Sequence, residues 1–88
     1  MASRFRLRVH TPEREFVDAD VSEVTAQGAI GEIGVLPDHA ALLTALEPGI
    51  LTYREDGRTV RLRLGGGFAS VLDNVMTVLA DTGEVLAE

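Results

Sequence analysis

The sequence contains no cysteine, no tryptophan and no lysine. Without thiols there is neither a disulfide scaffold nor a thiolate site, which fits a reducing compartment. Without lysine there is no phosphate loop of the Walker type, and the glycines at 28, 31, 34 and 65–67 do not have the spacing of a dinucleotide fingerprint. No apolar run approaches the ~20 residues of a membrane-spanning helix. Met1-Ala2-Ser3-Arg4 passes straight into alternating residues, without the hydrophobic stretch of a signal peptide. Direct lipid insertion is therefore not expected. Positive charge is scarce too: eight basic residues, all arginine, face 14 acidic ones, for a net charge of −6. That balance argues against a nucleic-acid partner, which would need a positive field to neutralise phosphates.

What is present reads as one small domain. The 88 residues suffice for a single core, the span 1–88, and the apolar share of 45% is globular. The dominant period is two. Phe5, Leu7 and Val9 alternate with Arg4, Arg6, Arg8 and His10, the pattern of a half-buried strand. The alternating arginines read first as a solvated strand face, and otherwise as a patch for an acidic partner. Val21 and Val24 do not alternate strictly, so the register is open from Val21 to Ala26. Further on, Val60, Leu62 and Leu64 alternate with Arg61 and Arg63. Asp56-Gly57 and Asp73-Asn74 mark two-residue hairpins, and Gly65-Gly66-Gly67 marks a bend or bulge. Leu42, Leu43 and Leu46 fit one helix face, but Pro48-Gly49 would stop a helix at once, so the segment reads as a strand. Many short strands at regular spacing predict an all-β sandwich or barrel. Past Ala80 the chain is expected to leave the last strand, with 81–88 a frayed tail.

Candidate chemistry thins out under inspection. His10 and His39 are the only nitrogen ligands for a metal, with no partner at zinc-site spacing. Ser3, Ser22 and Ser70 sit in no nucleophile elbow, and Asp38 adjoins His39 too closely to orient it. The four aromatics, Phe5, Phe16, Tyr53 and Phe68, are spaced as core residues rather than as a platform for a sugar or other small ligand. No catalytic residue, metal or cofactor is expected. Glu32 stands apart, an acid between Gly31 and Gly34 in an apolar segment, which suits a contact better than a core.

From Gly31 to Thr44 the sequence reads GEIGVLPDHAALLT, and there it resembles the N-terminal domain of the epsilon subunit of rotary F-type ATP synthases, whose signature is GE-x-G-[IV]-x-P-x-HAPLLT. The likeness continues through Glu47-Pro48-Gly49, Gly66-Gly67-Phe68 and Val75 to Asp81, in order, over roughly Phe5 to Thr82. The resemblance implies a two-sheet β-sandwich of about ten short strands, monomeric when isolated and non-catalytic. It implies a place in the central stalk, with the gamma subunit on one side and the c-ring of the membrane sector on the other, coupling proton flow to ATP synthesis. By resemblance Gly28, Ala29, Ile30, Gly31 and Glu32 meet the c-ring, and Thr11, His39 and Thr44 face gamma. The implied location is peripheral, on the cytoplasmic side of the cell membrane. Asp38 replaces the family's usual Gly or Asn, which predicts a left-handed backbone at 38; Ala41 replaces its Pro, and Ser70 a common acid. The family usually continues into a two-helix domain that carries the inhibitory extension and, in some bacteria, a nucleotide motif. This sequence stops at Glu88 before any such domain, as a naturally short form or at a domain boundary, so no ATP binding is expected of these residues. The rival reading is a free-standing sandwich that binds a small ligand or sugar.

Overall fold

Strands β1 (Phe5–His10) and β7 (Arg58–Leu64) show how directly the two-residue period becomes packing. Phe5, Leu7 and Val9 are buried between exposed Arg6 and Arg8, and Val60, Leu62 and Leu64 are buried between exposed Arg61 and Arg63. In a pleated strand successive side chains take opposite faces, so one face enters the core and the other is left to water. The computed structural model describes residues 3–86. Its other strands are β2 (Glu15–Val21), β3 (Glu23–Gly28), β4 (Gly31–Val35), β5 (Leu42–Leu46), β6 (Gly49–Glu55), β8 (Gly67–Leu72), β9 (Val75–Ala80) and β10 (Gly83–Val85), with no helix among the described residues.

The strands form one sheet folded into two layers. One layer runs β5-β8-β9-β1-β2 and the other β10-β7-β6-β3-β4, joined where Gly28 of β3 pairs with Leu46 of β5. Pairing is antiparallel except between β1 and β9, which run parallel. The core lies between the layers, with Leu7, Val9, Val24, Leu51, Leu62, Met76 and Val78 at its centre, and it contains no buried polar or charged residue among those described. This is the sandwich that both the periodicity and the resemblance predict.

Three local features settle what the sequence left open. At Ser22 the chain crosses from one layer to the other: its N–H and hydroxyl both donate to the Arg54 carbonyl, and the bend resets the alternation so that Val21 and Val24 are both buried. The segment from Leu42 is a strand, paired along its length with β8. The two-residue turns at Asp56-Gly57 and Asp73-Asn74 hold positive φ at both central positions, as tight hairpins with native twist require.

Two expectations need correction. The tail does not fray at Asp81. Gly83–Val85 pairs with β7, Gly83 lies under the Phe16 ring, and the Leu86 N–H donates to the Arg61 carbonyl at 2.9 Å. The free edge of β7 would otherwise expose a row of unpaired backbone groups, and the short strand satisfies them. Residues 87–88 of that tail lie outside the described residues. Phe68, expected in the core, is 59% exposed. It pairs with Leu79 and Ala45 on the outer face, while its neighbour Ala69 points inward.

Candidate docking surfaces

Outer faces of antiparallel strands are commonly polar. Here β5, β8 and β9 break that habit. Cross-strand register places Leu43, Ser70 and Thr77 in one row and Ala45, Phe68 and Leu79 in the next, all outward, with Leu72 beside them. Leu43 is 76% exposed, and Phe68, Leu72 and Leu79 are each more than half exposed. This is a contiguous apolar surface, the kind of patch that marks an interaction site. Shallow recesses of about 390 Å³ and 370 Å³ lie at its two ends, the first by Leu43 and Leu72, the second by Thr11, Phe68 and Leu79.

A charged margin borders the patch on β1 and β2. Arg6 donates to Asp18 at 2.7 Å and to Asp20 at 3.1 Å, and Arg4 pairs with Asp56 at 2.6 Å. Arg6 holds the Asp18 carboxyl below the usual carboxylate range, chiefly through their side-chain hydrogen bond. Two of the three alternating arginines thus serve the domain's own surface. Arg8 makes no ion pair among the described residues and stands next to the apolar rows, in line with Thr77.

Of the three gamma-facing candidates the structure brings Thr11 to this surface and ties the turn that carries His39 to the β8–β9 turn beside Leu72. Thr11 lies at its Phe68–Leu79 end, where its hydroxyl exchanges hydrogen bonds with the Arg14 backbone. His39 lies toward the other end, in the turn before β5. Its Nδ1–H donates to the Ala40 carbonyl at 2.6 Å. Asn74 steadies that turn: its Oδ1 accepts from the Asp38 N–H and its Nδ2 donates to the Arg4 carbonyl, both at 2.8 Å. Asp38 itself has φ 62, the left-handed backbone expected of it. Thr44 differs. It shares its inward parity with Ala69 and is half-buried, so Leu43 is the β5 residue that projects from the patch.

The ring-facing candidates form the β3–β4 hairpin. Gly28 pairs with Gly31, which makes Ala29-Ile30 the tip, and Ile30 is 96% exposed. Neither tip residue has positive φ; Gly31 takes it, at 128°. Glu32 is exposed but sits on β4 opposite Gln27, one step behind the tip rather than on the loop. Sequence reasoning passed over Leu43 and Leu79 as docking residues and put Phe68 in the core, and it named Ile30 only as one of the five residues 28–32. The signal was present: the segments at 42–46, 68–72 and 75–80 are apolar nearly throughout, which in a strand means that both faces are to be covered.

On the other layer, a polar recess of about 230 Å³ between Glu23, Thr25, Thr52, Arg54 and Thr59 has no aromatic wall for a sugar or ring to stack on. No group of metal-ligating side chains is found among the described residues.

A β-sandwich with an apolar outer face and a projecting hairpin has surfaces suited to docking. Residues 4–85 match the family model described as the ATP synthase Delta/Epsilon chain β-sandwich domain. The chain is 46% identical over 84 residues to the ATP synthase epsilon chain of Carboxydothermus hydrogenoformans, which covers 96% of this chain and 63% of that one. It is 43% identical over 84 residues to the epsilon chain of Geobacter sulfurreducens, covering 96% and 61%. Among solved structures, a chain of the Euglena gracilis mitochondrial ATP synthase OSCP/F1/c-ring assembly superposes with a TM-score of 0.90 at 25% identity, over 97% of this chain and 55% of that one. A chain from the Tetrahymena thermophila mitochondrial ATP synthase central stalk and c-ring shares the fold, with a TM-score of 0.79 at 22% identity over 90% and 64%. The chain therefore belongs to the ATP synthase Delta/Epsilon β-sandwich family, which is made of non-catalytic chains of that complex. It spans about 63% of the length of the first of these relatives.

Proposed function

We propose that this domain is a rotor element of an F-type ATP synthase central stalk. It grips the gamma subunit through the outer face of β5, β8 and β9, and offers the 28–32 hairpin to the c-ring. Torque from ion flow through the ring then reaches the catalytic head, and the domain itself carries out no chemistry. The observation that carries this reading is the contiguous apolar surface of Leu43, Phe68 and Leu79. Covering a leucine or phenylalanine fully contributes roughly 1.5–3 kcal/mol, so a face with several of them favours a lasting protein contact. Thr11 lines the Phe68–Leu79 end of that footprint, and the turn that carries His39 is tied through the Asp38 N–H to Asn74, beside Leu72 at the other end. In this reading the domain is peripheral, on the cytoplasmic side of the membrane that holds the ring.

Thiol trapping tests the arrangement, because the chain has no cysteine of its own. In the assembled complex, cysteine in place of Thr11, His39 or Leu43 is expected to crosslink to gamma, and in place of Glu32 to the c subunit. Thr44→Cys should trap gamma less efficiently than Leu43→Cys, since its side chain takes the inward parity. If the thiols at 32 and 43 capture the same partner, the two-sided arrangement is wrong.

A further inference from the structure

Resting on the reading that the outer face of β5, β8 and β9 grips gamma, we infer that Arg8 fixes the orientation of that contact by receiving a carboxylate of gamma at the margin of the apolar patch. Cross-strand register carries the rows of this face past the patch onto β1 and β2. One row runs Leu43, Ser70, Thr77, Arg8 and Asp18, and another runs Leu72, Val75, Arg6 and Asp20. Each starts from an exposed leucine and ends in an arginine and an aspartate. A surface that merely neutralised itself would pair each arginine with the aspartate directly opposite, Arg6 with Asp20 and Arg8 with Asp18. The observed pairing is different. Arg6 takes both carboxylates, Asp18 at 2.7 Å and Asp20 at 3.1 Å. Arg8 acts on Asp18 only as a nearby charge, a smaller influence than the Arg6 hydrogen bond. It is exposed and makes no ion pair among the described residues.

The position of this cation selects its partner's chemistry. Arg8 adjoins Thr77 in the row that leads to Leu43, so a protein laid over the patch comes down against the guanidinium and removes part of its water. A charge that loses solvent without gaining a partner opposes binding. The domain supplies no such partner, since the aspartate opposite is already held by Arg6. The acceptor must then come from the covering surface. A carboxylate meets a guanidinium through two parallel hydrogen bonds as well as through charge, which a single backbone carbonyl cannot do. Charges at the rim of an interface fix register and exclude wrong partners more than they add affinity. On a domain of net charge −6, an uncompensated arginine beside the patch therefore distinguishes one orientation of the covering surface from the others.

The test measures binding of the full chain to the soluble ATPase head that lacks this subunit and retains gamma, at low and at high salt. Arg8→Gln should weaken binding about fivefold to tenfold at low salt and clearly less at high salt. Arg8→Glu should weaken it further, because like charges then meet. Arg61→Gln removes the same charge from the other layer and should change binding by less than about twofold. Arginine placed at one acidic position of gamma should restore binding of Arg8→Glu. A parallel Leu43→Cys variant reports what covers the patch. Capture of gamma from position 43, with a salt-dependent loss in Arg8→Gln and rescue of Arg8→Glu, supports the inference. Capture of gamma with Arg8→Gln no worse than Arg61→Gln, with a loss equal at both salt levels, or with no rescue at any gamma acid, overturns the carboxylate and leaves the gamma-facing surface standing. If Leu43→Cys captures another subunit, or nothing, the gamma-facing surface itself fails and the role of Arg8 with it.

Discussion

Asp38 stands at φ 62 between Pro37 and His39, a conformation that aspartate tolerates and a β-branched residue does not. Asp38→Val is expected to lower unfolding free energy by roughly 1–2 kcal/mol, whereas Asp38→Gly should stay within about 1 kcal/mol of the parent. Chemical denaturation of the two variants decides it, and equal stabilities would remove the strain argument. Asn74 does more than fill its turn, because its side-chain amide holds the Asp38 backbone and the Arg4 carbonyl at once. Replacing it by alanine removes two hydrogen bonds and puts a less suited residue at φ 63, for a combined loss of about 2–3 kcal/mol. Because the same amide sets the turn that carries His39, Asn74→Ala should also blunt trapping of gamma from position 39 more than from Thr11. Asp38's left-handed backbone was legible in the sequence, through the family's Gly or Asn at that place. Asn74's role was not, since its partners are 36 and 70 residues away and no local pattern announces such a bond.

Strands and hairpins follow local rules to different degrees. The β1–β2 ribbon shows a charge ladder on its outer face, with Arg6 between Asp18 and Asp20. Asp18 has its pKa lowered in the folded state, so whatever stability the pairing contributes is present above the ordinary carboxylate range and is lost as pH falls through the depressed value. Nuclear magnetic resonance titration should find Asp18 below the usual range, and Arg6→Gln should move it back up; an Asp18 indifferent to that substitution would show the contact to be idle in solution. In the β3–β4 hairpin the element depends on one glycine. Gly31→Ala forces a side chain into φ 128 and should cost roughly 1–2 kcal/mol while displacing the Ile30 tip. Strands β1 and β7 could be read from the sequence because arginine marks their wet face. For β5, β8 and β9 apolar residues fill both faces, and the alternation that would tell inside from outside is missing.

At the scale of the molecule, the apolar surface separates stability from docking. Phe68→Ser removes a side chain that is 59% exposed, so it should change stability by no more than about 1 kcal/mol. The same change should weaken binding to gamma about tenfold or more if the patch is the grip. Unfolding curves and gamma binding measured side by side would reveal an ordinary core role if both fell together. The all-β class, the hairpin turns, the bend at Gly65–Gly67 and the family signature from Gly31 to Thr44 were determined by the sequence alone, because each rests on neighbouring residues: period, turn chemistry and the order of motifs. Which apolar residues face water was decided only by tertiary structure. A two-residue period states that Phe68 and Ala69 take opposite faces but not which of them enters the core. That choice depends on β8 lying between β5 and β9, and on β9 lying parallel to β1 from the other end of the chain. For the same reason Thr44 turned inward and Gly83–Val85 became a strand. Each outcome depends on a partner strand brought near by the fold, and long-range pairing of this kind leaves no mark on the residues beside it.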